Sequence, residues 1–277
     1  MDIPFDLLYI VASFYTKPRM KLLDWIPEDK LDWYYLSSNS NAIHLLEKYP
    51  NKINWKYLSD NSNAYELLKN NFDKIDWEYI SLNPNIDVVN NIIIKNLNKI
   101  RWEYISSNPS AMHIIENNLD KINWSWLSRN PNAIHMIEKI MDDPQKMDWS
   151  WFSMNPNAIH ILEKHPDKID WYRLSLNPKA LHLIENKLKQ KEPIDHNNKV
   201  NWTMLSLNSQ ALHLLENNLD KINWNQLSTN PNAIHLLKSH HMNINWRFLS
   251  SNPSIFEIDM EKLKLDITKK AKNIDYV

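Results

Sequence analysis

The chain has 277 residues, and 32 Lys and Arg nearly balance 33 Asp and Glu, for a net charge of −1 with no basic stripe of the kind that tracks a nucleic-acid backbone. It contains neither cysteine nor glycine. Disulfides, thiolate zinc sites and cysteine nucleophiles are excluded, and phosphate-cradling loops, dinucleotide fingerprints and nucleophile elbows lose the residue they need where backbone approaches a ligand.

Residues 1–32 precede the regular part of the chain. Pro4 followed by Phe5-Asp-Leu-Leu-Tyr-Ile-Val-Ala-Ser-Phe14 predicts an amphipathic helix with proline in its first turn. The apolar run to Tyr15 is too short to span a bilayer, carries Asp6, and lacks the basic leader of a secretory signal. Leu22, Leu23, Trp25 and Ile26 form a second apolar cluster, closed by Pro27. This region is expected to cap the open face of the first repeat.

From Trp33 onward a 22-residue unit recurs ten times, beginning at Trp33, Trp55, Trp77, Trp102, Trp124, Trp149, Trp171, Trp202, Trp224 and Trp246. Spacings are 22, 22, 25, 22, 25, 22, 31, 22 and 22, shorter than the common helical repeats. Positions are counted here from the Trp of each copy. Asp or Asn usually stands at −1, as a helix N-cap. An apolar residue holds +3, and Ser holds +4 and Asn +6 in every copy. Pro follows at +7 in seven copies, then Ala-Ile-His-Leu-Leu-Glu or a near variant. The pattern predicts two short helices per copy, with Asn-Pro starting the second. Apolar residues at +9, +10, +12 and +13 give that second helix a stripe covered on two sides. So small a pair cannot stand alone, so stacking supplies the stability.

The expected fold is therefore all-α: an α-solenoid over 33–253, running open for roughly 90 Å at about 9 Å per helix layer. A helical cap over 1–32 and a capping helix with tail over 254–277 are expected to close its ends. Left-handed turn positions, with no glycine to fill them, are expected to fall to Asn. The additions in the longer copies, Met141–Lys146 and Lys187–Asn198, follow the second helix and are expected to project as loops.

His recurs at +11 in seven copies, six of them followed three residues later by Glu. A metal site needs ligands converging near ~2 Å on one ion, whereas equivalent residues of stacked copies lie roughly 9 Å apart. These side chains are expected to bond neighbouring copies or to flank the core stripe, and reuse of one pattern in copy after copy argues against catalysis. The Ser column reads as structural, and the Trp column as core with its indole N–H on a carbonyl. Aromatic residues at +2 in seven copies could form a base-stacking ladder only with a basic groove, which is missing. No catalytic residue, cofactor or metal is expected.

Variation between copies concentrates at +1 and +5, one face of the first helix. A fixed frame with a variable face is how a solenoid presents a binding surface. Candidates for a protein-binding face are Tyr34, Lys56, Glu78, Leu82, Arg129, Met154, Tyr172, Leu176, Leu207 and Arg247.

Copies such as Trp149–Asp170 and Trp224–Asn245, with Leu-Ser-x-Asn-Pro-Asn-Ala-Ile-His-Leu-Leu-Glu or a close variant, resemble the Asn-rich 22-residue repeats of uncharacterised proteins in giant DNA viruses of amoebae, the mimivirus group. The resemblance covers about residues 31–253 and implies a viral product acting in the host cytoplasm or packaged in the virion, with no established activity. Ile3-Pro4-Phe5-Asp6-Leu7-Leu8-Tyr9-Ile10-Val11 resembles the opening of an F-box, which implies adaptor docking through Pro4, Phe5, Leu7, Leu8 and Val11. Ile3, Asp6 and Val11 depart conservatively from that pattern, and the rest of it is not recognisable in 15–32. The expected function is a non-enzymatic scaffold for protein partners, not for nucleic acid, membrane or metal. A receptor recruiting a host cullin ubiquitin ligase and a structural virion component are the alternatives.

Overall fold

The computed structural model describes residues 18–143, 145–190 and 199–274, with side chains as far as residue 267. The helix expected over Phe5–Phe14 and most of the Lys187–Asn198 addition lie outside them. As expected, each copy opens with a helix of four to six residues beginning at its Trp, from Trp33–Leu36 to Trp246–Leu249. Asp or Asn at −1 caps it: Asp32 accepts from the N–H of Tyr34 at 2.9 Å and Asn54 from that of Tyr57 at 3.1 Å. Copy 4 has Arg101 there and no side-chain cap. The second helix follows a tight turn started by Asn at +6, as in Pro131–Ala133 leading into Ile134–Ile137. Residues +3, +9 and +13 are sealed from solvent in copy after copy, as with Leu127, Ala133 and Ile137. No helix among the described residues is long and apolar enough to cross a membrane.

Two buried polar columns hold one copy to the next. Ser at +4 donates its hydroxyl to the Trp carbonyl four residues back, at 2.7–3.1 Å, in all ten copies. The same oxygen accepts the N–H at −1 of the following copy, at 2.8–3.4 Å. Asn at +6 works in the other direction. Its amide nitrogen donates to the Ser carbonyl of the preceding copy at 2.8–3.1 Å. It also donates to that copy's Asn carbonyl at 2.8–3.2 Å. Its oxygen accepts the N–H at +8 of its own copy, which shapes the turn.

The array does not run open. Copy 10 packs against copy 1 through the bonds that join any other pair. The Asp32 N–H donates to Ser250 Oγ at 2.8 Å, and Asn39 donates to the carbonyls of Ser250 at 2.9 Å and Asn252 at 2.8 Å. Asn41 donates to the Pro253 carbonyl at 2.9 Å, as Asn63 donates to that of Ser40. Ten copies thus close a ring at about 36° per step, and seam distances matching the internal ones leave no pitch between its ends. The expected extended rod with capped ends is replaced by a ring whose first and last copies cover each other.

The segments expected as end caps instead clasp the seam. In place of a second helix, copy 10 has strand β2 (Phe256–Ile258), antiparallel to β1 (Met20–Leu22) with Met20 opposite Ile258. The Leu23 N–H donates to the Ile255 carbonyl and the Asp259 N–H to that of Arg19, both at 2.9 Å, and Lys21 pairs with Glu257 at 3.0 Å. The helix Met260–Ile274 follows, with Leu263 buried. It covers no open repeat face, since none is left.

Asn does not take the left-handed role either. No described residue has positive φ. The turns are built from right-handed and extended backbone, such as Asn130 at φ −73°, ψ 116°. Side-chain bonds from Asn, not a left-handed backbone, make the bends.

Candidate functional site

The first helices face the inside of the ring. Rings at +2 of successive copies meet at 5.7 Å for Tyr35 and Tyr57, 5.5 Å for Tyr57 and Tyr79, 5.2 Å for Tyr104 and Trp126, and 5.4 Å for Trp126 and Trp151. Tyr35 meets Phe248 at 5.5 Å across the seam. First helices of successive copies lie closer together than second helices do, which puts the first helices on the inner side. Only Trp126 and Trp151 lie stacked, at 28°, while the other pairs meet tilted or edge-on, so the rings form no continuous stack.

The residues chosen for variability fall into two settings. Those at +1 reach the next copy. Exposed Tyr34 packs on Tyr57 at 4.4 Å, and the Lys56 ammonium sits 4.7 Å from the Tyr79 ring centre. Glu78 accepts from the Tyr104 hydroxyl at 3.0 Å and pairs with Arg101 at 3.5 Å, so that bond raises the Tyr104 pKa. Arg247 lies over Tyr35 at 4.9 Å and pairs with Asp32 at 3.7 Å. Part of the variation at +1 is thus matched to the neighbouring +2 residue. Tyr172, 48 % exposed, is the exception.

The +5 side chains are half-buried on the inner side, where Leu82, Met154, Leu176 and Leu207 have no open patch of their own. Arg129 lies 5.4 Å from Trp126 and 5.2 Å from Trp151, its pKa lowered by burial and by Arg173. The Asp60 carboxyl has no hydrogen-bond or ion-pair partner among the described residues, and burial pushes it up to about 7. Burial among Tyr79, Tyr34 and Tyr35 pushes Tyr57 up to about 12. The adaptor-docking candidates Pro4, Phe5, Leu7, Leu8 and Val11 lie outside the described residues.

The His–Glu column is an inter-copy ladder, as expected. His182, His213 and His235 meet Glu163, Glu185 and Glu216 of the preceding copy at 2.8 Å, His135 meets Glu116 at 3.4 Å and His160 meets Glu138 at 3.7 Å. Copy 3 has Asn91 where Glu would stand, and His113 Nε2 is buried without a partner. The described residues contain no cluster of three or more metal-ligating side chains.

One column went unread in the sequence. Lys stands at −3 in nine copies, and in seven of them it caps the Trp of the copy before. Lys52 lies 4.5 Å from Trp33, Lys74 4.7 Å from Trp55, Lys121 5.3 Å from Trp102, and Lys30 4.8 Å from Trp246 across the seam. The Trp rings are half-buried between core and ammonium, and no indole N–H bonds a carbonyl among the described residues. The fixed spacing of Lys to Trp was the available signal.

No family model, curated protein or solved structure matches the chain. What distinguishes one place on the ring from another must come from its own asymmetry. The +2 aromatics run from Phe248 through Tyr35 to Trp151, then break at Arg173, Met204 and Gln226. A cleft of about 800 Å³ opens in that sector, between copies 6, 7 and 8, lined by Ser150, Lys168, Ile169, Asp170, Tyr172, Arg173, Lys199, Val200, Asn201 and Trp202. Here Ser150, Asp170 and Arg173 form a polar network: Ser150 bonds Asp170 closely, and Arg173 Nε donates to Ser150 Oγ at 2.8 Å. The Arg173 guanidinium rests 3.6 Å from the Trp151 ring centre.

Proposed function

We propose that the chain is a non-enzymatic scaffold, a closed helical ring that binds protein partners. The observation that carries this reading is the break in its inner band. The Ser and Asn frame bonds are the same in all ten copies, so a feature built once is where recognition can reside. The repeated Ser, Asn, His and Glu are consumed in joining copies and are not poised for chemistry. Following the resemblance in the repeats, the partners belong to a giant virus or to its host cell.

The test is affinity purification from infected host lysate with the full-length chain and with residues 18–277 as baits. The scaffold reading expects a saturable protein partner with both. Ligase subunits lost only with the shorter bait would favour the receptor reading instead. Truncation at 18 rather than 31 matters, because residues 19–30 supply the clasp and a seam lysine. Capsid or core proteins recovered alone would favour a virion component. Tiling end to end is disfavoured by the closed seam, which leaves no repeat face to stack upon.

A further inference from the structure

The cleft at copies 6 to 8 has the parts of a carboxylate receptor. Arg173 is immobilised on three sides. Its plane lies on Trp151, its Nε donates to Ser150 at 2.8 Å, and Nη1 contacts the Met154 sulfur at 3.6 Å. Asp170 does not take its fork. The Asp170–Arg173 approach is to Nε alone, at 3.9 Å, while one Asp170 oxygen caps the helix by accepting the Arg173 N–H and the other accepts from Ser150. The Nη edge therefore meets only a thioether, a weak acceptor. A guanidinium held in place with its paired N–H groups unspent matches a planar carboxylate, and preorganisation lowers the entropy lost on binding.

The walls select what carries that carboxylate. Tyr172 is exposed beside the fork, and half-buried Trp202 and Ile169 supply apolar surface within the same cleft. Lys168 stands at the rim, its ammonium 3.5 Å from Asp167 rather than over Trp149, where His165 packs instead at 5.2 Å. The junction differs from the one before it in what the small +1 residue faces. Copy 5 also has a serine there, Ser125, but the next +2 residue is Trp151, whereas after Ser150 it is Arg173.

We infer that this cleft binds an acidic segment of a protein partner, with a glutamate or aspartate carboxylate on the Arg173 fork and a neighbouring aliphatic or aromatic side chain against Tyr172 and Trp202. The inference rests on the scaffold reading and gives it a location and a ligand chemistry.

Fluorescence anisotropy tests it with the full-length chain and a fluorescein-labelled peptide of alternating glutamate and leucine, against the same peptide with glutamine for glutamate. The glutamate peptide should bind at least tenfold more tightly. Arg173→Lys, which keeps the charge and loses the fork, should weaken it at least tenfold. Lys168→Glu and Tyr172→Ala, both on exposed side chains, should each weaken it at least threefold. Lys69→Glu, far around the ring, should leave it unchanged, and circular dichroism melts confirm that each variant folds. Equal affinity for the two peptides overturns the inference, as does glutamate binding that ignores both Arg173→Lys and Lys168→Glu. A phosphoserine peptide binding over tenfold more tightly than the glutamate peptide overturns the carboxylate assignment. Capture of a lysate partner that survives these substitutions sinks the cleft and leaves the scaffold standing.

Discussion

Asn at +6 is the most economical residue in this protein. One buried amide satisfies two carbonyls of the preceding copy and one N–H of its own, so it ties copies and shapes a turn together. Removing it strands the Ser carbonyl and the +8 N–H, each costing about 1–3 kcal/mol when buried and unpaired, while the Asn carbonyl keeps the +9 N–H of its own copy, as Asn108 keeps that of Ala111. Asn130→Ala should thus destabilise by about 2–4 kcal/mol in chemical denaturation, and Asn130→Asp by no less, since it loses both donors and buries a charge. Asp60 behaves in the opposite sense. Its folded carboxyl keeps a proton to about pH 7, against 3.8 when unperturbed. Between those values the folded state binds more protons, so stability falls as pH rises from about 4 to about 7 and stays low above, by at most about 4 kcal/mol. Asp60→Asn should raise the melting temperature at pH 8 and change it little at pH 4; equal shifts at both would refute an ionisation penalty.

At the scale of the helices, most of the frame could be read from residue types and spacing. Asp or Asn before Trp, Ser at +4 and Asn-Pro at +6 each have a capping or bonding role that follows from local chemistry, and each takes it. The apolar stripe at +9 to +13 is core for the same reason. The seam was not legible. Closure depends on the small rotation from one copy to the next, a property of packed pairs that no single residue encodes, and ten such steps decide between a rod and a ring. Nor was the role of +1, because variability looks the same whether a side chain meets solvent or a matched neighbour, as Lys56 meets Tyr79. The cleft was hidden for a related reason. Arg173 breaks the +2 aromatics in the sequence, but only the fold shows that it lies on Trp151 and lines a cleft. Asn39 gives a direct check on closure. In an open array it would face no preceding copy, and Asn39→Ala would cost only its turn bond, about 1 kcal/mol. In the ring it should cost as much as Asn61→Ala, within about 1 kcal/mol, in paired urea titrations.

For the molecule as a whole, closure changes what a copy is worth. In an open solenoid each repeat contributes itself and one interface, so deleting an internal copy removes a small share of stability and leaves the rest intact. A ring has no such freedom. Deleting Trp224–Asn245 keeps every frame residue in the remaining nine copies, and Trp202 to Trp246 would still be joined through Ser206 and Asn252. Yet each junction would then have to turn about 40° instead of about 36°. Packed interiors resist such shifts, because displaced side chains lose contacts or leave rotamer wells. The strain has two outlets. Nine junctions can each yield a little, or one can open and expose two faces lined by apolar side chains, which a second chain would then cover. The deletion should therefore lower the melting temperature by more than about 10 °C or double the molar mass by light scattering relative to the parent chain. An unchanged mass with a loss of only a few degrees would show that the copies stack without needing to meet.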